Sequence, residues 1–163
     1  MLTLFFVDDL PTIVGSSYEF AGDDAFHAIK VLRTKVGDRF NLSDGKGSWS
    51  TVIAEEISKK SIQVRVEESG YQNPLGVEFT VIQAIPKSDR IKESIELSTE
   101  GGADRIVMWK AARSIGKSDD KIEKLQTTAR EASKQSRRFY IPIIDGVSST
   151  QDVISSLASF DLV

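Results

Sequence analysis

The sequence contains no cysteine and only one histidine, His27. Without cysteine there is no disulfide and no thiolate ligand for zinc, and a single histidine has no second soft ligand with which to share a metal. No metal site is expected. Long apolar runs are missing too: none approaches the roughly 20 residues that a membrane-spanning helix needs. The first nine residues, MLTLFFVDD, hold a brief apolar run with no basic lead, and Asp8 and Asp9 follow at once. That is not the pattern of a signal peptide, so a cytoplasmic protein with no membrane partner is expected. Common enzyme signatures are also lacking. There is no Gly-x-Ser-x-Gly, and IGKS at 115–118 would need a glycine five residues before Gly116, where Ala111 stands. The paired carboxylates Glu55-Glu56 and Glu67-Glu68 fall at strand ends or turns and read as solvated.

What remains is 163 residues, 40% hydrophobic and 28% charged, the make-up of a soluble globular chain of one domain or two small ones. The net charge of −3 argues against a generally basic coat. The charge is unevenly placed, however. From Lys110 to Arg138 there are nine basic and four acidic residues, a local excess that suits a polyanionic partner.

The hydrophobic rhythm divides the chain. In the first half, 38–44, 49–57 and 61–68 alternate as strands, joined by the turn sequences DGKGS and SKKS, and 23–33 reads as one helix. GYQNPLG at 70–76 has no periodicity and two glycines, the pattern of a linker. Domains are therefore expected over 1–72 and 77–163, with 73–76 between them. The second half alternates strand (77–85), helix (88–102, stopped by Gly101-Gly102), strand (104–111), long helix (118–138), short strand (139–143) and helix (149–158), and 160–163 looks like the opening of a further strand. Such alternation implies a mainly parallel sheet with crossover helices.

Three groups of cations are candidates for binding phosphate. His27, Lys30 and Arg33 share a face of the first helix, a pattern that an ordinary solvated helix also gives. Lys87 and Arg90 follow one strand of the second half, and Lys110 and Arg113 follow the next. Topology places all four on one rim, beyond the carboxyl ends of the strands where ligands gather. Around EASKQSRRFYIP (131–142), Ile122, Leu125, Ala129, Ala132 and Ser136 make an apolar stripe along the long helix, and Arg130, Lys134 and Arg137 a ridge on the opposite face. Of Phe139 and Tyr140, one belongs to the core and the other is free to stack on a base.

These residues resemble a specific family. FHAIKVLRTKVGDRFNLSDGKGSWSTVI (26–53), with His27, Val31-Leu32-Arg33, Gly37-Asp38 and Asp44-Gly45, is similar to the N-terminal PUA-like RNA-binding domain of bacterial 16S ribosomal RNA uridine-N3 methyltransferases. In 86–114, Lys87, Arg90, Glu100, Gly102, Arg113 and Ser114 fall on that family's pattern. In 131–142, Ala132, Gln135, Arg138 and Pro142 do so. Lys134 stands where relatives often have glutamate, Arg137 where they often have glycine, and Leu97 where they often have lysine.

The resemblance implies a PUA-like β-barrel followed by an α/β SPOUT domain with a knotted parallel sheet. It implies a homodimer that uses S-adenosyl-L-methionine to methylate N3 of a uridine in 16S ribosomal RNA of the small subunit. It places the donor-binding GPEGG loop and LRTETA segment, which this sequence lacks, beyond Val163, so the α/β domain is incomplete here. The implied roles are catalytic for Arg113 and Glu100, and RNA-binding for His27, Arg33, Lys87, Arg90, Gln135 and Arg138; Lys30 and Arg137 join the RNA-binding candidates through their places on the charged helix faces, not through the resemblance. N3 of uridine must shed a proton before it attacks a methyl group, and a fixed guanidinium such as that of Arg113 steadies the charge spreading over the ring carbonyls. Arg138 and Gln135 would grip the base or its phosphate. The alternative is a non-catalytic RNA-binding module, a PUA-like barrel with an α/β companion.

Overall fold

The computed structural model describes residues 2–74, 76–87, 90–114 and 122–162. Two compact units emerge, Met1–Pro74 with Arg137–Tyr140, and Leu75–Ser136 with Ile141–Val163.

The first unit is a curled five-stranded sheet of β1 (Leu4–Phe6), β2 (Ser17–Ala21), β3 (Arg39–Ser43), β4 (Ser48–Ile57) and β5 (Ser61–Tyr71), in the order β1-β3-β4-β5-β2. β3, β4 and β5 form the expected antiparallel meander, and β1 joins it parallel to β3. Register shifts at Thr51/Val52 and Ala54/Glu56 bend the long β4–β5 pair, as bulges do. The bend brings the two edge strands together. Phe5 of β1 lies 5.2 Å from Phe20 of β2, and Phe40 of β3 lies 5.5 Å from each. This trio plugs a barrel lined by Leu42, Val52, Ile62, Val64 and Val66, all buried. Helix α1 (Asp23–Lys30) covers it through the buried Ala25 and Ala28. Its expected extension to residue 33 is not seen, because the backbone leaves the helix after Lys30 and turns.

The second unit is a parallel three-stranded sheet, β6 (Thr80–Ala84), β7 (Arg105–Trp109) and β8 (Ile143–Ser148), with β7 in the centre. Helices α2 (Ile91–Glu100) and α3 (Ile122–Ser136) pack on it around Ile95, Ile106, Met108, Leu125, Ala129 and Ile144. The Gln126 amide ties α3 to the start of β8, donating to the Pro142 carbonyl at 2.9 Å and accepting from the Ile144 N–H at 3.2 Å. Helix α4 (Thr150–Leu157) starts with a capping box formed by Ser149 and Asp152. The Ser149 hydroxyl and N–H both donate to the Asp152 carboxylate, which holds that carboxyl below its ordinary range. The Arg105 guanidinium joins Asp145 at 3.0 Å and Glu78 at 3.2 Å, and those bonds raise its pKa further above that of an ordinary arginine.

Three expectations change. The strand expected at 139–143 does not form; Tyr140 makes a lone bridge to Lys46, and β8 begins at Ile143. Residues 160–162 are not in a strand. On α3 the buried stripe is Leu125, Ala129, Ala132 and Ser133, whereas Ile122 is 43% exposed and Ser136 is exposed. The expected starts of the helices over 88–102 and 118–138 fall on residues 88–89 and 118–121, which lie outside the described residues. No helix among the described residues is long and apolar enough to cross a membrane, and no group of three or more metal-ligating side chains is found among them.

Candidate nucleic-acid interface and catalytic rim

In the first unit, the exit of α1 collects the first group of cations. His27 and Lys30 lie in its last turn; His27 is exposed and Lys30 is exposed at the helix end. The chain then folds back, with the Thr34 N–H and hydroxyl both bonding to the Ala28 carbonyl at 3.1 and 3.0 Å. Arg33, exposed, takes a left-handed backbone with φ 56° in this turn, and the exposed Lys35 follows. The three predicted residues are thus brought together, alongside exposed Phe26, Val31, Leu32 and Val36.

The same unit holds Arg137 and Arg138, because residues 137–140 lie along the β3–β4 turn. Asp44 shapes that turn by accepting from the N–H groups of Lys46 and Ser48, at 2.7 and 3.1 Å. The Gly47 N–H donates to the Phe139 carbonyl at 3.0 Å, and Lys46 pairs with Tyr140. Phe139 stacks on Trp49, centroids 5.7 Å apart. Tyr140 meets Tyr71 edge-on at 6.5 Å and donates its hydroxyl proton to the Gln72 carbonyl at 2.5 Å. Two glycines make this packing possible. A Cβ on Gly47 would strike the Tyr140 hydroxyl, and one on Gly70 would lie 2.7 Å from the Trp49 ring. Both aromatic residues of the segment are therefore engaged with the barrel, and neither is the free stacking ring expected from the sequence.

The expected ridge on α3 is also redrawn. The Lys134 ammonium bonds to Glu131 at 2.7 Å with only 13% of its side chain exposed, so it is no freestanding cation. The helix stops at Ser136, and Arg137 leaves its axis in a left-handed conformation, φ 57°. Gln135 stays on the last turn of α3 and is exposed.

In the second unit, Lys87 follows β6, with the Arg90 N–H turning back onto its carbonyl at 2.8 Å. Lys110 and Arg113 follow the adjacent, parallel β7. Arg113 sits in a tight turn closed twice, by the Ser114 N–H on the Ala111 carbonyl at 3.0 Å and by the Ala111 N–H on the Ser114 hydroxyl at 3.1 Å. All four cations are exposed and share the carboxyl edge of the sheet, as topology implied. Glu100 does not join them. It ends α2, which returns the chain to the amino edge, where the Asp104 N–H bonds to the Phe79 carbonyl ahead of β6 and β7. The length of β7, roughly 16 Å at 3.3 Å per residue, separates Glu100 from Arg113.

Lys35, Lys46 and Tyr71 were not singled out from the sequence. The DGKG turn signalled a hairpin, but nothing local signalled that residues 137–140 would pack on it.

A curled barrel with cations at a helix exit, and a parallel sheet with cations at its carboxyl edge, have the surface chemistry of a protein that engages phosphate backbones. Comparison with known proteins makes the class specific. Residues 72–163 match the family described as RNA methyltransferase domain, and residues 20–67 match that described as RNA methyltransferase PUA domain. The chain belongs to this RNA methyltransferase family. It is 39% identical over 152 residues to the ribosomal RNA small subunit methyltransferase E of Mycobacterium tuberculosis (strain CDC 1551 / Oshkosh), covering 90% of this chain and 58% of that protein. It is 28% identical over 161 residues to the protein of the same name from Bacillus subtilis (strain 168), covering 95% of this chain and 61% of that one. The chain thus spans less than two thirds of the length of these curated relatives. Among solved structures, it superposes on the ribosomal RNA small subunit methyltransferase E from Neisseria gonorrhoeae bound to S-adenosyl methionine with a TM-score of 0.81 and 21% identity, covering 94% of this chain and 65% of that one. A probable rRNA-methyltransferase from Porphyromonas gingivalis gives 0.72 and 30% identity, covering 94% and 63%. The described architecture is a PUA-like barrel and an α/β domain with a parallel sheet.

Proposed function

We propose that this protein methylates N3 of a uridine in 16S ribosomal RNA of the small subunit, as a homodimer in the cytoplasm, with S-adenosyl-L-methionine as donor. The observation that carries the reading is the presence in one chain of both family matches, the RNA methyltransferase domain and its PUA domain. The Mycobacterium and Bacillus relatives supply the ribosomal substrate through their names. Bound S-adenosylmethionine supplies an electrophilic methyl group. Ser149 and Asp152, the polar side chains just past β8, are bonded to each other. None of the described residues is assigned to the donor.

The chain's own residues would bind and orient the RNA. His27, Lys30, Arg33, Arg137 and Arg138 on the barrel, Gln135 on α3, and Lys87 and Arg90 on the rim are its contacts. Phosphate bonds set register and orientation. Arg113, held on a doubly closed turn beyond the central strand, would offer its guanidinium to the uracil carbonyl oxygens, over which negative charge spreads once N3 has given its proton to water. Glu100, on the opposite edge of the sheet, has no part in this step. The test is Arg113→Ala in the full-length protein, assayed for methyl transfer to 30S subunits. Turnover should fall about 100-fold, as for removal of one donor to a developing anion, with the circular dichroism spectrum unchanged. Near-normal methylation would refute the role.

A further inference from the structure

Among the described non-glycine residues, only Arg33 and Arg137 have a left-handed backbone. Arg137 follows the last residue of α3, a position where helices favour glycine because a Cβ is unfavourable there. Its backbone is strained, and the guanidinium it carries is exposed and makes no hydrogen bond or ion pair among the described residues. Strain of this kind collects where a side chain is needed for function. The surroundings show what for. The pairing of Lys46 with Tyr140, and the Gly47–Phe139 hydrogen bond, set Lys46 opposite the short segment that begins with Arg137. Lys46 is exposed, and the Asp44 carboxylate beside it is occupied by backbone N–H groups. Tyr71, whose ring edge meets Tyr140, is still 54% exposed. Trp49 and Phe139 cover each other, whereas Tyr71 keeps ring surface in solvent.

We propose that Arg137, Lys46 and Tyr71 form a contact strip on the barrel for single-stranded RNA, the two cations holding consecutive phosphates and Tyr71 stacking on an unpaired base. Cations that track a backbone, interleaved with an exposed aromatic ring, are how proteins grip unpaired strands. The proposal rests on the RNA-directed reading above and adds to it the kind of RNA segment and two residues, Lys46 and Tyr71. The helix-end strain makes one prediction that a structural role for Arg137 would not.

The test measures binding of the chain to a fluorescein-labelled, mixed-sequence single-stranded RNA across a salt series, with thermal melts of each variant. Arg137→Gly should melt at the same temperature as the parent or higher, because glycine adopts the left-handed backbone freely. Its affinity should nonetheless fall, and its log–log salt slope should lose about 0.7, the value of one phosphate contact on a single strand. Lys46→Gln should repeat the slope change. Tyr71→Leu should weaken binding about tenfold and leave the slope intact, since stacking releases no counterions. If the parent binds with a steep salt slope and these variants match it, the strip is wrong and the RNA-directed reading survives. A lowered melting temperature for Arg137→Gly would likewise overturn it by making the arginine structural. If the parent shows no RNA binding, both fall.

Discussion

Gly47→Ala would put a methyl group where the Tyr140 hydroxyl already stands, 2.5 Å from the ring carbon that bears it and 2.9 Å from the Tyr71 ring. Gly47 also has φ 103°, so its replacement strains the backbone as well. The two costs separate by comparison with Gly15, which has φ 85° and nothing within 4 Å of the place a methyl group would take. Gly15→Ala bears only the backbone strain, about 1–3 kcal/mol. Gly47→Ala must also push Tyr140 aside. That gives up the hydrogen bond to Gln72, about 1 kcal/mol, and the edge contact with Tyr71, about 0.5–1.5 kcal/mol. The expected excess over Gly15→Ala is therefore about 2 kcal/mol. Urea unfolding followed by Trp49 fluorescence, in a Trp109→Phe background so that the signal comes from the barrel, measures it. In a Tyr140→Leu background most of the excess should vanish, because the obstructing hydroxyl and ring carbon are gone. Equal shifts in midpoint for the two alanine variants would show that residues 137–140 do not press on the turn as described.

Two further outcomes follow from groups whose bonding is unusual. The Ser133 hydroxyl is fully buried on α3 with no hydrogen-bond partner among the described residues; Ser133→Ala should stabilise the second unit by about 1 kcal/mol, and a lower midpoint in urea would contradict this. Asp152 has its carboxyl held below the ordinary range by Ser149. Its contribution to the start of α4 is fully present above the ordinary carboxylate pKa and is lost as pH falls through the lowered value. Protection factors of the α4 amides, taken against the intrinsic exchange rate at each pH, should fall in acid in the parent and show a flatter pH dependence in Asp152→Asn; identical profiles would mean that the Asp152 carboxylate does not hold the helix start.

The elements legible in the sequence were those whose partners are near in the chain. β3, β4 and β5 are joined by turns of recognisable composition, and α2 stops at the two glycines marked as its end. β1 was not legible because its three residues pair in parallel with β3, far along the chain. Phe139 and Tyr140 read as strand because both are aromatic and precede Ile141, but Pro142 has no N–H for a ladder and their ring surface is taken up by Trp49 and Tyr71. The carboxyl rim was readable because strand order in an alternating β/α chain fixes which ends are neighbours. Glu100 was grouped with Arg113 by motif; the crossover helix carries it to the other edge of the sheet. Lys134 looked like a surface cation because helical spacing says nothing of Glu131 bending onto it.

The barrel is discontinuous in sequence, since residues 137–140 return to it after β6, α2, β7 and α3 of the second unit have been laid down. During synthesis the meander and α1 emerge first, but Trp49 has no Phe139 to cover it until α3 has left the ribosome. Domains usually complete themselves in order from the N-terminus. Here the last step of the first unit waits for the second. A nascent chain halted before Arg137 would carry an unfinished barrel with its indole ring bare, a surface for chaperones to recognise.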